Sequence, residues 1–108
     1  MIRLKSRIYV QALIRRCEIA GASAYVVRRG ADEAGAIFLK VNRLDGAITV
    51  LSPARRGEER VWMRPLGETA DEARVSDYFA KQTRIDPDIW IVEIEDRQGR
   101  TFVDEPVL

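Results

Sequence analysis

Residues 85–95, Ile85-Asp86-Pro87-Asp88-Ile89-Trp90-Ile91-Val92-Glu93-Ile94-Glu95, leave this chain few folding choices. Pro87 has no backbone N–H, fixes its own φ and pushes Asp86 out of the α region, so a helix arriving from upstream must stop here. The seven residues that follow combine Trp, Val and three Ile, side chains that suit a pleated, buried surface. The stretch predicts a turn built on Asp86, Pro87 and Asp88, then the strongest strand of the chain. Its period of two places Trp90, Val92 and Ile94 on one face and Ile89, Ile91, Glu93 and Glu95 on the other.

Apolar spacing predicts a first helix over residues 7–20, with Ser6 as N-cap and Gly21 as the stop. Ile8, Ala12 and Ile19 form a second apolar patch on it, away from the main face. Strands are expected at 24–29, 36–43, 47–52 and 60–66. Gly30 and Gly35 bracket the first connection, Asp45-Gly46 turns the second, and residues 53–59 read as a mobile polar loop. A capping box from Thr69 to Glu72 opens a second helix that runs to Ile85 and buries Val75, Tyr78, Phe79, Gln82 and Ile85. Residues 101–103 can pair back as a short last strand.

The order α-β-β-β-β-α-β(-β) implies one α+β domain over residues 1–108. The expected form is a two-layer sandwich: a mostly antiparallel sheet, in part parallel because of the helical crossover, with both helices on one face. If every strand turns the same face to the helices, Ile37, Leu39, Val41, Ile48 and Val50 join Trp90, Val92 and Ile94 in the core. Phe38, Leu51, Trp62 and Ile91 then form an outer apolar patch, with Arg60, Arg64, Glu93 and Glu95 around it. Such a patch marks a binding surface, and a homodimer is the partner it suggests.

Several functions are excluded or disfavoured by what the sequence contains. With no His, the chain has no Ser-His-Asp or Cys-His catalysis and no imidazole metal ligand. Its single Cys17 falls on an apolar helix face and reads as a buried thiol in a reducing, cytoplasmic protein. No apolar run approaches a membrane span, so no membrane partner is expected. The net charge of +1 gives a weak footprint for nucleic acid, in spite of the pairs Arg15-Arg16, Arg28-Arg29 and Arg55-Arg56. The loop from Gly30 to Gly35 lacks phosphate-loop spacing and carries Asp32 and Glu33.

Glu93 and Glu95, with Asp86 and Asp88 at the strand start, suggest a carboxylate-based metal or catalytic site as an alternative, but the simpler expectation is a surface face paired with Arg60, Arg64 or Arg97. No cofactor is expected, and no ligand is specified. The αβββαβ order also occurs in metal-dependent nucleases, but residues 47–52 hold neither the carboxylate nor the Lys those enzymes need in that strand. Double-stranded-RNA-binding domains need a basic second-helix start, and here Glu68, Asp71 and Glu72 stand there. Small secretion-chaperone-like dimers share the order at the level of topology alone. The sequence favours a non-catalytic binding protein.

A family resemblance runs through nearly the whole chain. Arg3-Leu4-Lys5-Ser6 with Ala12-Leu13-Ile14-Arg15-Arg16, then Arg28-Arg29-Gly30 and Ala34-Gly35-Ala36, and above all Phe79 followed by the block from Ile85 to Glu95, resemble the small bacterial proteins grouped as domain of unknown function 1491, found mainly in alphaproteobacteria. The Asp86-Pro87-Asp88-Ile89-Trp90 block is the most specific part, and residues 53–59 match no motif of that group. The resemblance implies a shared fold and brings with it no activity, cofactor or catalytic residue.

Overall fold

Strands β2 (Ile37–Asn42) and β5 (Trp90–Glu95) carry apolar side chains on both faces, and the fold covers both faces. The computed structural model describes residues 4–108; Arg3 of the opening motif lies outside them. Helix α1 (Ser6–Ile19) is followed by β1 (Ser23–Arg28), β2, β3 (Ile48–Arg56), β4 (Glu59–Met63), α2 (Glu72–Ile85) and β5. The sheet order is β1-β5-β2-β3-β4, with β2 and β5 parallel and the other three pairings antiparallel. The α+β class, the element order and the mostly antiparallel sheet are as the sequence predicts.

The helices, however, lie on opposite faces of the sheet rather than together on one. Tyr9, Val10, Leu13 and Cys17 of α1 pack with Leu39, Val41, Leu51, Trp62, Trp90, Val92 and Ile94. Val75 and Phe79 of α2 pack with Phe38, Ile48, Val50, Ile89 and Ile91. Register parity is the cause. Asn42 pairs with Ile48, so the even-numbered residues of β3 share a face with Phe38 and Lys40, not with Ile37 and Leu39. Two apolar faces then need two covers, and each fully buried aliphatic or aromatic side chain contributes about 1.5–3 kcal/mol.

The helix ends differ in detail from the sequence reading. Gly21 does stop α1: its N–H bonds to Glu18 O (3.1 Å) and that of Ala22 to Cys17 O (2.9 Å), a Schellman arrangement with Gly21 at φ 85°. Ser6 does not cap α1; its hydroxyl donates to Gly35 O at 2.6 Å. The α2 N-cap is Asp71, which accepts from Arg74 N at 2.9 Å. Thr69 cannot serve, because Ala70 pairs with Ile48 through two backbone bonds of 3.0 and 2.7 Å. Ile85, expected in the core, is exposed. Among the described residues no helix is long and apolar enough to cross a membrane.

Residues 53–59 are not a loop. β3 runs on to Arg56, Gly57 (φ 63°) and Glu58 turn the chain, and Glu59 starts β4 opposite Arg56. Residues 101–103 do not form a strand. Instead Val107 bridges Trp62 in parallel: Trp62 N donates to Pro106 O and Leu108 N to Trp62 O, both at 2.8 Å. This strap covers the β4 edge of the sheet, while the β1 edge stays open.

The turn before β5 works as punctuation, with Asp86 Oδ1 accepting from Asp88 N at 3.0 Å. Its neighbour is the loop from Gly30 to Gly35. Ala31 N donates to Asp88 O (2.9 Å), Trp90 Nε1 to Ala31 O (2.7 Å) and Trp90 N to Ala36 O (2.8 Å). A Cβ on Gly30 would collide with Asp88 O and stand 2.6 Å from Ile89 C; one on Gly35 would collide with Asp88 O and stand 2.9 Å from Ala31 N. Gly30→Ala is therefore expected to lower stability by about 1–3 kcal/mol, as forced overpacking does. Urea unfolding checks this, and a midpoint equal to that of the wild type contradicts it.

Candidate functional site

The residues expected to form an outer patch do not form one. Trp62 is 1 % exposed. With Leu51 it belongs to the α1 side, while Phe38 and Ile91 belong to the α2 side, and all four are buried. Arg64 lies beyond β4 and donates to Leu108 O at 3.1 Å. Asp86 and Asp88 serve the turn, Pro87 starts it, and Trp90 is a core residue with Arg29 over its ring at 5.4 Å.

Glu93 is not on a solvated face, and its partners are not arginines. Its side chain is 8 % exposed and that of Lys40 13 %. Lys40 Nζ stands 3.3 Å from Glu93 Oε1 and 2.9 Å from Glu72 Oε1, and Asn42 Nδ2 donates to Glu93 Oε2 at 3.1 Å. Burial works against the charge on Lys40, yet the two carboxylates raise its pKa. Beside them Tyr25 OH lies 3.4 Å from Glu95 Oε2; burial, then Glu93 and Glu95, push its pKa up to about 12. Glu93 is thus engaged in an ion pair. Among the described residues no three Cys, Asp or Glu side chains gather closely enough to hold a metal ion.

The open concave feature is elsewhere, between the N-terminal half of α1 and the β3–β4 hairpin. It has two adjoining lobes, of about 500 and 650 Å³, which share Leu4, Tyr9, Arg55 and Arg60. Volumes of this order suit a small organic ligand. Trp62, Pro53 and Ala54 wall the inner lobe, and Ala12 and Pro106 the outer. Ala12 comes from the second apolar patch of α1, which therefore faces this cleft at that point.

A buried polar network holds the base of the cleft. Tyr9 OH and Trp62 Nε1 both donate to Glu105 Oε1, at 2.8 and 3.0 Å. Burial raises the Tyr9 pKa strongly, and its bond to Glu105 adds to this. Burial alone would raise the Glu105 pKa, but the bonds from Trp62 and Tyr9 outweigh it and hold the carboxyl below its usual range. The two rings stand 6.4 Å apart, and the Arg60 guanidinium lies over the Tyr9 ring at 5.6 Å.

Sequence reading named Trp62 and Arg60 as site residues and weighed Arg55 only as half of an arginine pair that could meet nucleic acid; it named neither Tyr9 nor Glu105. Glu105 is 96 residues from Tyr9, and nothing local announces their contact. A signal for Arg55 did exist: a two-residue turn at Gly57-Glu58 would have put Arg55 opposite Arg60. Cys17 is buried, and burial pushes its thiol pKa up, so it has no reactive character here. The three arginine pairs are dispersed, with Arg16 and Arg55 on the cleft, Arg29 bound to Asp32 at 2.7 Å and Arg56 bound to Glu59 at 2.7 Å.

The chain matches the family model described as "Protein of unknown function (DUF1491)" over residues 4–104. It is similar to two solved structures of a DUF1491 family protein from Caulobacter crescentus. The crystal structure is 49 % identical, with a TM-score of 0.90 and coverage of 98 % of this chain and 100 % of that one. The NMR structure is 48 % identical, with a TM-score of 0.87 and coverage of 100 % and 99 %. The solution structure of protein Atu0922 from A. tumefaciens is 34 % identical, with a TM-score of 0.81 and coverage of 99 % and 100 %. No curated protein matches the chain.

The network at the base of the cleft yields a stability test. Glu105→Ala leaves the Tyr9 and Trp62 donors without an acceptor and is expected to cost about 2–3 kcal/mol in chemical unfolding. The pH dependence has a definite sign. Because the folded pKa of Glu105 is depressed, its contribution is complete above the ordinary Glu value of about 4.3 and is lost as pH falls through the folded value. Glu105→Gln should flatten that part of the acid limb; an unchanged limb would contradict the assignment.

Proposed function

This chain belongs to the DUF1491 family, proteins of unknown function, and we propose that it is a non-catalytic cytoplasmic binding protein whose site is the cleft between α1 and the β3–β4 hairpin. One observation carries the reading. The polar ends of Tyr9 and Trp62 are fixed on a single carboxylate oxygen beneath a cleft large enough for a small molecule. Binding sites combine such pre-set walls with a few placed polar groups. The groups that could act as nucleophile or base are otherwise engaged: the Ser6 hydroxyl donates to Gly35 O, Lys5 pairs with Glu33, the one thiol is buried on the inner face of α1, and the sequence has no His.

NMR titration of labelled protein with benzamide, benzoate and phenyl phosphate tests it. Shifts should concentrate at Ala12, Ala54, Arg60 and the Trp62 indole N–H. Absence of a response there to all three probes would rule the cleft out as a binding site.

A second reading, self-association, is favoured by the open β1 edge. Tyr25, Val26 and Val27 are exposed there by 43, 40 and 51 %. An unpaired edge with apolar side chains invites another strand. A second copy in antiparallel register would bring the Arg28 end of one β1 near Ser23 of the other, which pairs with the half-exposed Glu95. The protein should sediment as a dimer at micromolar concentration, and Val26→Lys should return it to monomer; a wild-type monomer throughout ends this reading.

A further inference from the structure

β3 and β4 bring Arg55 and Arg60 directly opposite one another on the α1 side of the sheet. Like charges at directly opposed positions destabilise a strand pair unless something stands between them. The neighbouring pair shows the usual solution: Arg56 faces Glu59 and binds it at 2.7 Å. Arg55 and Arg60 have no such relief. Arg55 makes one long bond to a backbone carbonyl, Glu58 O at 3.3 Å. Among the described residues Arg60 makes no hydrogen bond or ion pair and rests over the Tyr9 ring.

Most carboxylates near the pair have partners, and the exposed Glu58 of the outer lobe forms no ion pair among the described residues. Glu33, the acid of the inner lobe, is paired with Lys5 at 3.5 Å. Glu105 feels the Arg60 charge without forming an ion pair with it, and its Oε1 already accepts from Tyr9 and Trp62. In the outer lobe Glu59 is bound to Arg56, and Asp104 stands 4.0 Å from Arg16. Two guanidinium groups with unused donors therefore stand on the wall that the two lobes share, and neither forms an ion pair among the described residues.

We propose that Arg55 and Arg60 form an anion-binding subsite at the wall that the two lobes share. It would take the carboxylate or phosphate group of a small ligand whose apolar body lies against Leu4, Pro53 and Ala54. This rests on the cleft being the binding site and specifies its ligand class. Guanidinium groups bind both anions in bidentate fashion, so the shared chemistry is a planar or tetrahedral oxyanion. Bound there, the anion separates the two charges and removes the repulsion that the empty pair carries.

The test compares three probes of similar size by calorimetry at low ionic strength: benzoate, phenyl phosphate and neutral benzamide. One or both anions should bind about tenfold more tightly than benzamide, the ratio a single charge-assisted hydrogen bond can supply, and added salt should narrow the gap. Whichever anion binds better identifies the group the subsite takes. Arg55→Gln, which removes only the bond to Glu58 O, and Arg60→Gln should each abolish the preference, while Arg56→Gln should keep it. Equal binding of all three probes overturns the subsite but leaves the cleft reading standing. So does a preference that survives both Arg55→Gln and Arg60→Gln. No binding of any probe overturns both.

Discussion

The contact between Asp88, Trp90 and the loop from Gly30 to Gly35 is the joint on which the rest of this fold depends. It holds the start of β5, the strand between β1 and the parallel β2, against the segment that links β1 to β2. The same loop faces the start of α1. Ser6 N donates to Glu33 O at 3.1 Å and Arg7 N to Asp32 O at 2.9 Å, so backbone carbonyls satisfy donors that a helix start leaves orphaned. One short loop thereby sets the entry of α1, the spacing of β1 and β2, and the first residue of β5. Neither bracketing glycine has room for a methyl group, which is why a sequence of ordinary loop character admits so little change there.

The strands carried their own positions in the sequence, and the sheet did not. Trp90, Val92 and Ile94 could be assigned to one face from period alone, and Pro87 marked the strand's start. What period cannot give is how strands align with each other. Ile48 and Val50 look like partners of Ile37 and Leu39 until the pairing of Asn42 with Ile48 is known. That one parity moves α2 to the other face and buries Phe38 and Ile91, the residues that would otherwise have been an open patch. Arg55, Arg56 and Glu58 look like a solvated loop because they are polar. They are strand and turn because a hairpin that extends past β2, with one face beside a cleft, can be polar without losing its pairing. The cleft stayed hidden for the same reason, since half of it is made of that misread hairpin and the other half of Tyr9 and Glu105, from opposite ends of the chain.

Lys40 and Glu93 form a largely buried ion pair on the α2 face. Such a pair adds little net stability compared with apolar residues, but either partner alone would be a buried charge without an answer. The two positions are neighbours across the parallel β2–β5 ladder, where Lys40 is in register with Glu93. A one-residue slip of β5 would turn Glu93 toward the apolar α1 side and leave Lys40 facing Val92 or Ile94. The pair therefore penalises the wrong alignment of the strand that joins the two halves of the sheet.

The strap at Pro106 to Leu108 covers the β4 edge through two backbone bonds to Trp62, the residue whose indole donates to Glu105. Glu105 directly precedes the strap, so strap and network meet at Trp62 through neighbouring residues. Peeling residues 106–108 away from β4 withdraws the carboxylate from beneath Tyr9 and Trp62 and uncovers two buried donors in one event. An opening of the edge would therefore extend to the base of the cleft, as in the cooperative units that native-state exchange resolves. By linkage, whatever occupies the cleft and favours the closed network also holds the edge shut, and whatever binds the bare β4 edge empties the cleft of its shape.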